Sequence, residues 1–285
     1  MGKGWTSLVG LLLAAASCTQ APSPLAPALS GSIGLPHRGV LTDAVEMPTD
    51  GAGYRFLRDN DRHYGLSRFA NALTRAAARV DQQRPGSRLV IGDLSVARGG
   101  RLLPHLSHRT GRDADLLLYA TTLEGAPVES PGFVHFGPDG LAWDDKHQRF
   151  LRFDVEREWI LVRALLEDPE ARIQWMFANH AIEALLVEWA RARGETTDLV
   201  WRAEVVLLEP HPGGDHDDHI HVRSACSDDD VAHGCEPSGP ERPWLISQLI
   251  LATHNVSDDA RELLVPLSPS RQHEVPPARE VSAGR

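Results

Sequence analysis

Scarce residue types rule out several large protein classes for this sequence. Cysteine occurs three times in 285 residues, too seldom for a fold stapled throughout by disulfides. No apolar run reaches the length of about 20 residues that a membrane-spanning helix needs. Positive charge is in deficit: 29 Lys and Arg stand against 39 Asp and Glu, a net charge of −10, and no basic stripe appears. A chain of that sign is not built to neutralise a phosphate backbone, so nucleic acid is not an expected partner. No internal repeat is evident. What is present is a 42% hydrophobic composition over a length that suits one large domain or two small ones.

The N-terminus, MGKGWTSLVGLLLAAASC, carries Lys3, then an apolar stretch and small residues leading to Cys18. It reads as an export signal over residues 1–18. Its end resembles a bacterial lipobox, with Ala15 where leucine is usual. Lipidation of Cys18, tethering the protein to a membrane, and simple secretion are the two outcomes. Setting Cys18 aside leaves Cys226 and Cys235, which in an exported chain suggest a disulfide closing a short acidic loop; two free thiols are the alternative.

Composition divides the rest. Residues 19–40 are rich in Pro and Ala and read as a flexible leader. A folded block spans 41–226, an extension with a helix 227–264, and a disordered tail 265–285. Within the block, Leu66, Phe69, Leu73, Ala76, Ala77 and Val80 recur at helical spacing. Helices are also expected over FDVEREWILVRALLEDP, where Asp154 reads as an N-cap, and over AIEALLVEWARARGE, with Ile182, Leu185, Leu186 and Trp189 inward. SRLVIGDL, GRDADLLLY, RIQWMF, AEVVLL and HIHVR read as strands. Their irregular alternation with helices favours an α+β fold, a mainly antiparallel sheet with flanking helices.

Residues 211–221, HPGGDHDDHIH, hold four histidines and three aspartates. On a strand, residues two apart share a face, so His219 and His221 point the same way. Upstream, HLSHRTGRDAD supplies His105, His108, Asp113 and Asp115. Two histidines and one carboxylate with an open fourth position are a common catalytic zinc set. Solvated loop residues are the bland alternative. His135, His147, His180 and His233 lack a paired motif and read as surface or packing residues, and Asp144-Asp145 with His147 reads as a solvated loop. Asp113 shares the face of Asp115 and could orient a ligand histidine. Arg223 could meet a substrate carboxylate or pair with a local aspartate.

SHRTGRDAD at 107–115 resembles the Ser-His-x-x-Gly-x-x-x-Asp motif, and DHIHVR at 218–223 the companion His-x-His motif, of zinc peptidases with the lysostaphin/D-Ala-D-Ala peptidase/hedgehog-like fold. Over about 50–226 the chain is most similar to the penicillin-insensitive murein endopeptidases. The resemblance implies Zn²⁺ as cofactor, with His108, Asp115 and His221 as its ligands. It implies His219 and His216 as further active-site histidines and His105 as an accessory or outer metal position. The general base is left between His219 with His216 and Asp218, which stands three before His221 where related dipeptidases carry a glutamate. The implied substrate is the peptide cross-link of peptidoglycan (murein), between D-alanine and meso-diaminopimelate, and the implied location is the periplasm. A D,D-carboxypeptidase or dipeptidase acting on stem peptides, a silent zinc-containing wall-binding protein and a metal-handling protein are the other readings.

Overall fold

A computed structural model describes residues 28–210, 216–240 and 242–246. The export signal with Cys18, His211, residues 247–264 of the helix-bearing extension and the tail 265–285 lie outside the described residues. Two compact units divide the chain, 1–238 and 239–285; in the second, a 3₁₀ turn forms at Pro243–Leu245.

The first unit opens with a hairpin, β1 Ser32–Leu35 and β2 Arg38–Leu41, inside the stretch that composition assigns to the leader. Nothing in its Pro- and Ala-rich surroundings marks it. Long-range bonds hold it: Ser32 Oγ accepts from the buried Arg112 guanidinium at 2.9 Å, and Gly34 N donates to Gly234 O at 2.8 Å. Short strands follow: β3 Val45–Glu46, β4 Asp50–Gly51, β5 Tyr54–Phe56 and β6 Tyr64–Gly65.

Helix α1 spans Ser67–Gln83. Its buried face holds Phe69, Leu73, Ala76, Ala77 and Val80, as the spacing predicts, with Ala70 and Ala72 added. Burying Phe69, Leu73 and Val80 contributes about 2 kcal/mol apiece. Strands β7 Leu89–Ile91, β8 Asp113–Leu117, β9 Ala120–Thr121, β10 Pro127–Val128, β11 Leu141–Asp144 and β12 Arg149–Phe153 precede α2, Val155–Glu167. Asp154 caps α2 by accepting from Arg157 N at 3.2 Å. β13 Ile173–Phe177 leads into α3, His180–Ala192, capped by Asn179. Ile182 and Leu186 are buried there, but Leu185 and Trp189 are half-buried, and Val187 and Ala190 take the inner positions.

AEVVLL is not a strand. Helix α4 covers Thr197–Val206, and only Leu207–Leu208 (β14) is extended. Thr196 caps α4 through Leu199 N, Asp198 sits in its first turn, and Leu199, Val200, Ala203 and Val206 are buried at helical spacing. β15 His219–Ser224 and α5 Asp228–Ala232 complete the unit.

The fold is mixed α+β. The largest sheet has seven strands in the order β14-β13-β15-β8-β7-β5-β4; only the β13–β14 and β5–β7 pairs are parallel. A four-stranded sheet runs β10-β9-β12-β11. α1 packs on β5 and β6, α4 on β13 and β14, and α2 contacts the other long helices. Strands β7 and β8 are buried along their whole length. The Cys226–Cys235 disulfide forms, closing the loop that carries α5 against β1. Arg68 bonds Asp230 of that loop at 2.8 Å and Ser224 Oγ at 2.7 Å.

Candidate metal centre and cleft

The site is assembled by the register of three adjacent strands. On β15, Ile220, Val222 and Ser224 are buried on one face, and His219, His221 and Arg223 occupy the other. The antiparallel pairing sets His221 opposite Asp115 and Arg223 opposite Asp113 on β8. On the other side it sets His221 opposite Phe177 on β13. His108 arrives from the irregular segment before β8, where it takes a left-handed conformation at φ 61°. Gly111, at φ 71°, turns the chain there; a side chain would meet Leu41 Cδ1 at 2.8 Å and Leu66 N at 3.0 Å.

Three atoms converge. His108 Nε2 lies 3.1 Å from Asp115 Oδ1, His221 Nδ1 lies 3.1 Å from the same oxygen, and the two nitrogens are 3.3 Å apart. All three side chains are buried. The outer nitrogens face acceptors: His108 Nδ1 is 3.0 Å from Leu94 O, and His221 Nε2 is 2.9 Å from Asp113 Oδ1. With protons on those outer nitrogens, two imidazole lone pairs and a carboxylate oxygen face one another. A tetrahedral zinc ion with ligands at 2.0–2.1 Å would space them about 3.3 Å apart. The donor set therefore fits such an ion in type, number and spacing.

The electrostatics agree. Burial pushes the Asp113 carboxyl up, but Arg223, bonded through Nε at 2.6 Å, and His221 outweigh it and hold it far below the usual range. Burial likewise opposes charge on Asp115, and His108 and His221 overcome it. Burial works against a charged His221, yet Asp113 and Asp115 raise its pKa. The carboxylates that draw a proton to this imidazole are equally suited to drawing a cation.

His105 is half-buried beside this triangle. Its Nε2 is 2.8 Å from Asp93 Oδ2, and its Nδ1 faces Asp115 Oδ2 at 3.5 Å. Arg58 and Arg62 also bond Asp93. Asp115 Oδ2 is buried and has no hydrogen-bond partner among the described residues.

His219 Nε2 lies 3.5 Å from Asp115 Oδ1, and its Nδ1 is 2.5 Å from Asp218 Oδ1. That bond, with a smaller pull from His135, outweighs burial and lowers the Asp218 pKa. His216, at φ 42°, places its ring 4.9 Å from His219 and 6.1 Å from His221. All seven site residues expected from sequence, His105, His108, Asp115, His216, Asp218, His219 and His221, line or floor one region. Six of them border an open cleft of about 590 Å³; His108 lies beneath it.

Sequence reasoning missed part of this wall. Phe133 meets His219 edge-on at 5.4 Å, and Phe177 lies 5.6 Å from both the His221 ring and the Arg223 guanidinium. His135 is exposed, as expected, yet it borders the cleft and bonds Asp217 at 2.7 Å. Phe133 and His135 lie in an irregular segment with no periodicity to mark them. Asp93 had a signal, since it follows β7 in alternation with Ile91.

These features define a class: an α+β protein whose main sheet carries a buried His–Asp–His cluster fit to hold a divalent cation beneath an open cleft. Residues 32–243 match the family described as penicillin-insensitive murein endopeptidase. The chain belongs to that family. It is 28% identical over 250 residues to a penicillin-insensitive murein endopeptidase of Klebsiella pneumoniae (strain 342), covering 83% of this chain and 82% of the relative. It is 27% identical over 248 residues to one of Escherichia coli (strain K12 / DH10B), covering 84% of each.

Proposed function

We propose that this protein is a zinc metalloendopeptidase that hydrolyses the peptide cross-links of murein at the D-alanyl-meso-diaminopimelate bond, on the hedgehog/D-Ala-D-Ala peptidase-like zinc fold. The observation that carries the reading is the triangle of His108 Nε2, Asp115 Oδ1 and His221 Nδ1. His105 is an accessory ligand position through its Nδ1.

Zinc held by these atoms would supply Lewis acidity for the scissile carbonyl and would activate a water for attack. The chain's own groups do the rest. Asp218 holds the His219 Nδ1 proton, so the Nε2 lone pair faces the cleft and accepts the proton of the attacking water. His219 then returns that proton to the leaving amine. His216, one ring away, donates to the developing oxyanion. Asp113 keeps the His221 Nδ1 lone pair inward. Phe133 and Phe177 wall the site. No serine is acylated in this scheme, so penicillin has no target.

The family points to the cell wall, and we place the protein in the periplasm. A tether through Cys18 remains part of the proposal, while no helix among the described residues is long and apolar enough to cross a membrane.

Digestion of purified cross-linked murein by zinc-loaded protein, with His221→Ala alongside, tests the reading. Wild type should convert muropeptide dimers to monomers in the presence of penicillin, and the variant should not. Release of free D-alanine without loss of dimers would assign a carboxypeptidase instead. Zinc binding with no product would leave a wall-binding protein.

A further inference from the structure

Next to the cleft, the hairpin of β11 and β12 carries two aromatic side chains that the peptidase chemistry does not use. Trp143 and Phe150 are direct cross-strand partners, with ring centroids 4.9 Å apart. They stay 42% and 52% exposed, among the most exposed aromatic side chains described. Isolated exposed apolar residues need no explanation, but a fixed pair beside a cleft does.

Polar bonds anchor the hairpin around the pair. Trp143 Nε1 donates to Asp145 Oδ1 at 2.8 Å, which sets the indole plane. At the hairpin tip, the buried Asp144 accepts from His147 N and Arg149 Nε and bonds His147 Nδ1 at 2.7 Å. Trp143, Lys146, Phe133 and His135 line a hollow of about 380 Å³. Phe133 and His135 also border the metal cleft. Their segment is fastened at Phe136, which pairs with Ala142 of β11 and whose N donates to Asp217 O at 2.9 Å. The hollow and the cleft therefore share one wall.

We propose that the Trp143–Phe150 hairpin is a saccharide subsite, binding a sugar ring of the glycan strand that carries the cross-linked peptide. The proposal rests on the murein reading above and extends it to the second component of that polymer. Every stem peptide in murein hangs from a sugar, so a cleft on the peptide has glycan beside it. A pyranose presents an apolar face of C–H groups and an equatorial rim of hydroxyls and amides. The exposed rings of Trp143 and Phe150, inclined at 65° to each other, offer aromatic surface to the first, and the Lys146 ammonium with its three donors suits the second. Preorganisation by Asp145 and Asp144 reduces the ordering cost of binding.

Two measurements test it, both with the zinc-loaded full chain. In the first, binding to murein glycan strands stripped of peptide is followed for wild type, Trp143→Ala, Phe150→Ala and Trp143→Tyr. This arm is independent of hydrolysis, so it still reads the subsite if the peptidase reading fails. Wild type and Trp143→Tyr should bind, and each alanine variant should bind about tenfold more weakly. In the second, kcat/KM is compared on cross-linked dimers that keep their sugars and on the same dimers with the sugars removed. The alanine variants should lose about tenfold on the first substrate and nothing on the second. Unchanged thermal unfolding of the variants shows that the hairpin has not simply collapsed. Absence of glycan binding by wild type overturns the proposal. Equal losses on both dimers overturn it too, and assign the hairpin to the peptide.

Discussion

His221 stands between two carboxylates on neighbouring positions of one strand face: Asp113 Oδ1 is 2.9 Å from its Nε2, and Asp115 Oδ1 is 3.1 Å from its Nδ1. The outer aspartate fixes the tautomer, and the inner one joins the imidazole as a metal ligand in the proposed centre. Asp113 is itself held by Arg223, so the arrangement is a relay of charge from the cleft wall to the cluster.

That relay predicts a metal phenotype for a residue that touches no metal. Asp113→Ala should weaken zinc affinity by roughly 10- to 100-fold, and Asp113→Asn, which keeps an acceptor, should fall between it and wild type. Titration against a competing chelator measures this. Wild-type affinity in Asp113→Ala would show that Asp113 does not orient the ligand.

The proposed proton-transfer roles of His219 and Asp218 separate by kinetics. His219→Ala should lower kcat by about 10²- to 10⁴-fold with zinc content unchanged. Asp218→Asn should cost less, because it alters only the orientation and basicity of His219. Equal losses in the two variants would instead make Asp218 the base.

Stability should depend on pH through a residue remote from the site. Glu158 is fully buried, and desolvation raises its pKa to about 8; its Oε2 accepts from Tyr119 N at 2.9 Å. The unfolded chain releases this proton near the ordinary value of about 4.3. Between that value and about 8 the folded state holds more protons, so the Glu158 contribution to stability falls as pH rises. Thermal melts of wild type and Glu158→Gln between pH 5 and 8 test the sign: the variant should gain on wild type as pH increases. Parallel curves would contradict it.

The Cys226–Cys235 disulfide spans nine positions of sequence and holds the α5 loop against the first hairpin. Replacing both cysteines by serine should cost about 2–3 kcal/mol and lower Tm by roughly 5–10 °C. Zinc affinity should be unchanged, because the triangle stands on β8, β15 and the segment before β8. Differential scanning calorimetry with a parallel zinc titration separates the two effects.

Local pattern was enough for much of this protein. The long helices over 67–83, 155–167 and 180–192 follow from periodicity and from caps such as Asp154. The clustering of His219 with His221 and of Asp113 with Asp115 follows from strand alternation, which needs no partner to be read. Short-range information failed where elements are held by distant contacts. The β1–β2 hairpin has weak strand character and depends on Arg112 and the disulfide loop. α4 was hidden because the β-branched run in AEVVLL suits a strand by propensity, whereas its buried spacing and its Thr196 cap decide for a helix.

Residue types and strand alternation alone give the side chains available to the centre and pair His219 with His221 and Asp113 with Asp115 on single strands. Only the tertiary structure decided what each one faces. Antiparallel register brings His221 against Asp115, and the route of residues 131–136 sets Phe133 edge-on to His219 and joins the histidine-lined cleft to the Trp143 hollow. The same packing turns Asp218 onto His219 Nδ1. Except for that last contact between neighbours, these are relationships between segments separated by tens of residues, and their geometry is fixed by strand pairing and core packing, which no local pattern encodes.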